Sequence, residues 1–203
     1  MRRVLRAAGF SVVALLTAAA CSNASTGTQP TAGAPPPATS TASAHNAVDV
    51  AFAQQMIPHH RQAISMAGLA PARTANAKVH DLASQIATDQ NRDIATLNSW
   101  LQTWHAPSTE NDASGGSAMG GMDRAAMVGM MSNQQMSQLV KSSGPAFDRL
   151  FIQLMIAHDQ GAVQMATTEL SAGRNPDAMH LATSIQRNQT AQIATMRQLL
   201  ANS

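Results

Sequence analysis

Tyrosine is absent from the chain and runs of valine are few, so nothing in the sequence favours a sheet. A single cysteine, Cys21, stands in 203 residues. That count excludes an intrachain disulfide and, beyond Cys21, a thiolate metal site. Basic blocks are missing too, although the whole-chain pI is 9.3. Setting aside residues 1–20 removes Arg2, Arg3 and Arg6 and leaves 10 basic against 11 acidic residues. A nearly neutral body without a lysine- or arginine-rich run gives a nucleic-acid backbone no electrostatic hold. Glutamate is reduced to Glu110 and Glu169. A di-iron carboxylate oxidase on a helical bundle needs a glutamate from each of two helices and two Glu-x-x-His pairs, so that chemistry fails on count.

What is present begins with an export signal. Residues 1–20, "MRRVLRAAGFSVVALLTAAA", pair an arginine-bearing start with an apolar run of signal-peptide length and small residues before Cys21. "AAAC" puts Cys21 where a bacterial lipobox carries its lipidated residue, with Ala18 in place of the usual leucine. The expectation is an exported protein anchored by lipid to the extracytoplasmic side of the cell membrane. Secretion with a free thiol is the alternative, and the apolar run is too short for a comfortable bilayer span. Residues 21–45 then supply the lipidated cysteine and a Ser/Thr/Ala/Pro-rich tether, which has too little apolar surface to offset ordering.

From residue 46 apolar residues recur at spacings of three and four, which predicts helices through residue 201. Pro71 marks a break. A second helix is expected from near Thr74 to Trp104, with Leu82, Ile86, Ile94, Leu97 and Leu101 as its buried stripe, ended by Pro107. Ser132 and Gln135 have the spacing of a capping box in the connection 106–144, so short helices are expected there. Pro145 opens a third helix to about Ala172. Asn175 as N-cap, Pro176 and Asp177 open a fourth to about Leu200. A shift of 99 residues aligns 49–97 with 148–196 without a gap, and 17 of 49 positions are identical. Among the identities are Asp49/Asp148, Met56/Met155, His59/His158, Met66/Met165, Asn76/Asn175 and Gln90/Gln189. Two copies of one hairpin, 46–105 and 145–201, each with one uncovered apolar side, predict an all-α, pseudo-symmetric four-helix bundle.

The chemistry concentrates in the words "MIPHHRQAISMA" at 56–67 and "MIAHDQGAVQMA" at 155–166. At about 100° per residue, Met56, His59, His60 and Met66 share one helix face, as do Met155, His158, Asp159 and Met165. Imidazole and thioether together form a borderline-to-soft donor set that points to copper, as Cu(I) or Cu(II), with zinc as the alternative metal. Met119, Met122, Met127, Met130 and Met131 are further Cu(I) donor candidates, with Met136 close behind them. Against this stands ordinary packing, since methionine at helical spacing commonly fills cores. Pro58, just before the double histidine, removes a helical hydrogen bond and costs about 3 kcal/mol unless the helix bends. A bend there would re-aim His59 and His60, and Ala157 removes that device from the second copy. Asp49 and Asp148 read as helix-start residues favoured by the macrodipole. His45, His80, His105 and His180 do not match between the copies and stay outside the expected site.

The combination of "DVAFAQQMIPHHRQAISMA" at 49–67, "GMMSNQQMSQL" and "FDRLFIQLMIAHDQGAVQMA" resembles the secreted bacterial family known as domain of unknown function 305, sometimes called CopM-like. The resemblance spans about residues 46–200. It implies a ferritin-like four-helix bundle outside the cytoplasm, with copper binding and resistance in some members. The family's double histidine falls on His59 and His60. In the second copy only His158 keeps it, because Asp159 departs from the pattern.

Three functions stay open on sequence alone. The first is a copper-binding protein that sequesters or transfers the metal in the envelope. The second is a metal-free module for an envelope protein partner or a second copy. The third is a copper-dependent redox enzyme, although no nucleophile with a base and an orienting carboxylate is visible.

Overall fold

The computed structural model describes residues 44–108 and 127–202. Cys21, the tether, Met119 and Met122 lie outside the described residues. Among the described residues six helices follow in order: α1 (Ala47–Ala67), α2 (Ala70–Arg73), α3 (Ala77–Thr103), α4 (Asn133–Lys141), α5 (Gly144–Ala172) and α6 (Pro176–Ala201). No strand occurs among the described residues. None of the described helices is long and apolar enough to cross a membrane.

The helix starts follow from local chemistry. Asn46 caps α1 by accepting from the backbone N–H groups of Val48 and Asp49, while the Asp49 carboxylate accepts from Asn46 N–H in return. Ser132 and Gln135 form the same reciprocal box at α4. Asn175 accepts from Asp177 and Ala178 at the start of α6, and Pro176 takes a first-turn place where its missing N–H costs nothing. Such caps are each worth about 1 kcal/mol.

Three details refine or correct the expectation. The break at Pro71 holds a helical turn of its own: Pro71 sits in the first turn of α2, and α3 starts at Ala77, behind the N-cap Asn76. Ile94 is only half-buried, so the α3 stripe narrows to Val79, Leu82, Ala83, Ile86, Leu97 and Leu101 with the amide of Gln90 among them. Asp148 is not a helix-start residue, because α5 begins at Gly144 and its first turn holds no acid.

α1 packs on α3, α5 packs on α6, and α1 meets α5 to join the two hairpins. α3 and α6 face each other across a groove lined by Leu82, Gln85 and Asp89 on one side and Asn188, Gln192 and Thr195 on the other. The core falls into two clusters. One holds Met66, Ile86, Leu139, Met155 and the stacked pair Phe147 and Phe151, 5.6 Å apart; the other holds Phe52, Met56, Leu97, Leu101, Trp104 and Ile185. Each large side chain so buried contributes roughly 1.5–3 kcal/mol.

Candidate metal centre

The inward face of α1 carries Met56, His59, His60 and Met66, all fully buried, and α1 continues unbroken through Pro58. α5 buries Met155, His158 and Asp159 completely and leaves Met165 half-buried. Helical spacing alone thus brings both histidine words to the seam between α1 and α5.

His59 and His158 meet across that seam with ring centroids 3.8 Å apart and planes tilted by 31°. All four of their ring nitrogens are buried, and among the described residues none makes a well-formed hydrogen bond. Burial pulls the His59 pKa well below its ordinary value, with repulsion from His158 and His60 adding to it. His158 falls to about 3, again through burial first and then through His60. The backbone of Val128 beside His59 and that of Gly129 beside His158 oppose the shifts without reversing them. Both rings are therefore neutral at physiological pH, the state in which imidazole ligates a metal.

His60 is aimed differently. Its Nε2 lies 3.3 Å from Asp93 Oδ2, and its ring centroid is 6.4 Å from that of His59. Its Nδ1 is buried and has no hydrogen-bond partner among the described residues. A carboxylate on one ring nitrogen fixes the tautomer and leaves the other free for a ligand. Asp159, which stands 99 residues after His60, has both oxygens buried and without a hydrogen-bond partner among the described residues, and burial raises its pKa well above the usual carboxylate range. Among the described residues, Gln192, 99 residues after Asp93, has no partner for its Oε1, and neither do Gln90 and Gln189. All four long helices thus contribute orphaned polar groups, each costing about 1–3 kcal/mol. A belt this expensive is a poor way to build stability and a good way to hold unsatisfied donors for a ligand.

The methionines divide. Met66 and Met155 belong to one core cluster, Met56 and Met165 to the other, so the four sulfurs do not gather at one point. In the connection, Met131 is buried, while Met127, Met130 and Met136 are half-buried. Among the described residues no three His, Cys, Asp or Glu side chains converge as a ligand set. Imidazole and thioether together are a donor combination suited to a soft ion.

Of the histidines set aside in the sequence, His45 stacks on Trp104 at 4.8 Å, and Trp100 stacks on Trp104 at 5.8 Å. His80 is exposed beside Asp81. Asp93 and Gln192 carried no signal in the sequence. Gln90 and Gln189 did, since they are identical across the 99-residue shift on an otherwise apolar stripe.

The sequence profile of the family described as domain of unknown function DUF305 matches residues 49–200. No curated protein matches the chain. Among solved structures, a DUF305 protein from Streptomyces coelicolor is 28% identical with a TM-score of 0.68, covering 76% of this chain and 91% of its own. A DUF305 fragment from Deinococcus radiodurans is 30% identical with a TM-score of 0.68, covering 78% and 98%. CopM in its Cu(II)-bound form is 32% identical with a TM-score of 0.64, covering 76% and 96%, and CopM structures with Cu(I) or silver also match.

Proposed function

The chain belongs to the DUF305 family, and from that premise we propose that it is an exported copper-binding protein that sequesters or transfers copper in the cell envelope. The observation that carries this is the His59–His158 pair: two neutral imidazoles, fully buried and ring to ring, whose four nitrogens make no well-formed hydrogen bond among the described residues. His59 and His158 are the first ligands, His60 Nδ1 a further nitrogen, and Met56, Met66, Met155 and Met165 the thioethers on either side. Met119, Met122, Met127, Met130 and Met131 supply more sulfur, and Asp159 makes the second copy of the hairpin a different site from the first. The likeness to CopM, solved with copper and with silver, supports a soft metal. Zinc ranks lower, because its sites use three or four converging His, Cys or carboxylate ligands. Lipid attachment at Cys21 would hold the bundle at the membrane through the tether.

One observation favours a second reading, a metal-free interaction module: the ring stack of His59 on His158 is itself a packing contact. Thermal melting separates the two. An ion that binds only the folded state raises the melting temperature by mass action. The copper reading expects a rise on adding Cu(I) that disappears in His59→Ala/His158→Ala; the module expects no rise in either protein.

A further inference from the structure

Residues 127–131 cross the seam between α1 and α5 and are fastened on both sides of it. On the α1 side, the Gln62 side chain accepts from Met131 N–H at 2.6 Å and donates to the Met131 carbonyl at 2.9 Å. On the α5 side, Gly161 lies directly under the strap: a Cβ there would stand 2.3 Å from the Val128 carbonyl oxygen and 2.6 Å from Gly129 Cα. Gly129 reciprocates with φ of 81°, and a Cβ on it would meet Gly161 Cα at 2.7 Å and the His158 carbonyl at 2.8 Å. Only glycine serves both needs, the left-handed backbone and the bare crossing. Met131 anchors the end of the strap in the core.

Positions 62 and 161 are 99 residues apart, so one place in each hairpin serves the same strap by opposite means. α1 offers a long amide that grips it, and α5 offers no side chain at all. The crossing lies over the dihistidine, with Val128 against the His59 side and Gly129 against the His158 turn. Both rings are 0% exposed, whereas Val128, between them and solvent, is 47% exposed. An ion can reach the rings only if something moves. α1 and α5 are locked into both core clusters, while the strap is tied by one side chain, one backbone crossing and one buried methionine.

We infer that Gln62 and Gly161 are positioning residues that hold residues 127–131 as a cover on the His59–His158 pair, and that a soft metal ion reaches the pair past this cover by way of Met127 and Met130. The choice of ion rests on the copper reading above; the cover does not. Met127 and Met130 are half-buried thioethers within two residues of the crossing, flexible soft donors at the edge of the strap.

The test uses the full chain without metal and diethyl pyrocarbonate, which modifies neutral imidazole, with each histidine followed by mass spectrometry. Loss of both Gln62 hydrogen bonds in Gln62→Ala should raise the modification rate of His59 and His158 by about tenfold relative to exposed His80. Gln62→Glu, which keeps the acceptor for Met131 N–H and loses the donor, should fall between. Asn46→Ala, which loosens the far end of α1, should leave the two rates near wild type. Gly161→Ala should act like Gln62→Ala if it folds by circular dichroism, and the Gln62 series decides the matter if it does not. Equal slow modification of His59 and His158 in wild type and Gln62→Ala, or an equal rise in Asn46→Ala, would overturn the cover. In a second arm, Cu(I) transfer to and from bicinchoninate should be faster in Gln62→Ala and slower in Met127→Leu/Met130→Leu. Wild-type transfer rates in the methionine variant would overturn the route past Met127 and Met130. Absence of any Cu(I) binding would remove the copper reading while the modification arm still decides the cover.

Discussion

His59 and His158 are held ring to ring at 3.8 Å, and neither carries a proton on its second nitrogen, because burial makes the charged form too costly. The folded-state pKa of His158, about 3, lies below the ordinary value of 6.5, so between those limits the unfolded chain binds a proton that the native protein does not. Stability therefore rises with pH through this window and is lost as pH falls below about 6.5. Each histidine contributes a slope of up to about 1.4 kcal/mol per pH unit. Urea unfolding of the metal-free protein at pH 4 to 7 should show this acid limb, and His158→Gln should flatten it.

The opposite slope comes from Glu169. Burial raises its pKa to about 8, helped by Asp49 beside it both as acceptor and as charge. Here the native state holds a proton that the unfolded chain has released above about 4.5, so stability falls as pH rises toward 8. Glu169→Gln stays neutral throughout. Its denaturation midpoint should change less than that of wild type between pH 5 and pH 8.

Asp49 ties two helix starts together. Its Oδ1 accepts from Arg174 N–H at 3.0 Å and Asn175 N–H at 2.9 Å, and its Oδ2 from Asn46 N–H. Burial pushes its pKa up, but these N–H groups and Glu169 outweigh that and hold it below the usual value. Asp49→Ala orphans three donors at the junction of α1 with the α5–α6 turn and should cost about 3 kcal/mol in urea unfolding. Asp49→Asn, which keeps an acceptor oxygen, should cost less.

Gly173 ends α5 with an ordinary φ of −66°, so its requirement is space and not conformation. A Cβ there would stand 2.3 Å from Glu169 Oε1 and 2.6 Å from the Glu169 carbonyl oxygen. Gly173→Ala should cost about 1–3 kcal/mol by forcing that carboxyl aside. Gly68→Ala, whose nearest contact would be 3.3 Å, should cost less in the same thermal-melting comparison.

Most of the helical frame was legible because it is written locally. Asn175-Pro176, Ser132 with Gln135, and the three- and four-residue spacing of apolar side chains act within one turn, and the structure has α6 and α4 starting where those signals stand. The inward turn of His59, His60, His158 and Asp159 follows from the same 100° per residue. What the sequence could not give are pairings set by distance along the chain. Asp93 takes His60 away from the dihistidine, and Gln62 reaches Met131 across 69 residues. Asp49 looked like a partner of its own helix alone, yet two of the three backbone N–H groups it accepts from lie at the start of α6, whereas Asp148 at the matching position lines a cleft with Ala75 and Asn76. Pro71 does stand in the break between α1 and α3, and it does so in the first turn of the short α2, where its missing N–H costs nothing.

The most direct test of the central claim is an anaerobic competition of the full chain against a colorimetric Cu(I) chelator, wild type beside His59→Ala and His158→Ala. The account predicts tight Cu(I) binding by the wild type and loss of the same ion in each single variant, since both imidazoles hold it. Full retention of Cu(I) by both variants would contradict it.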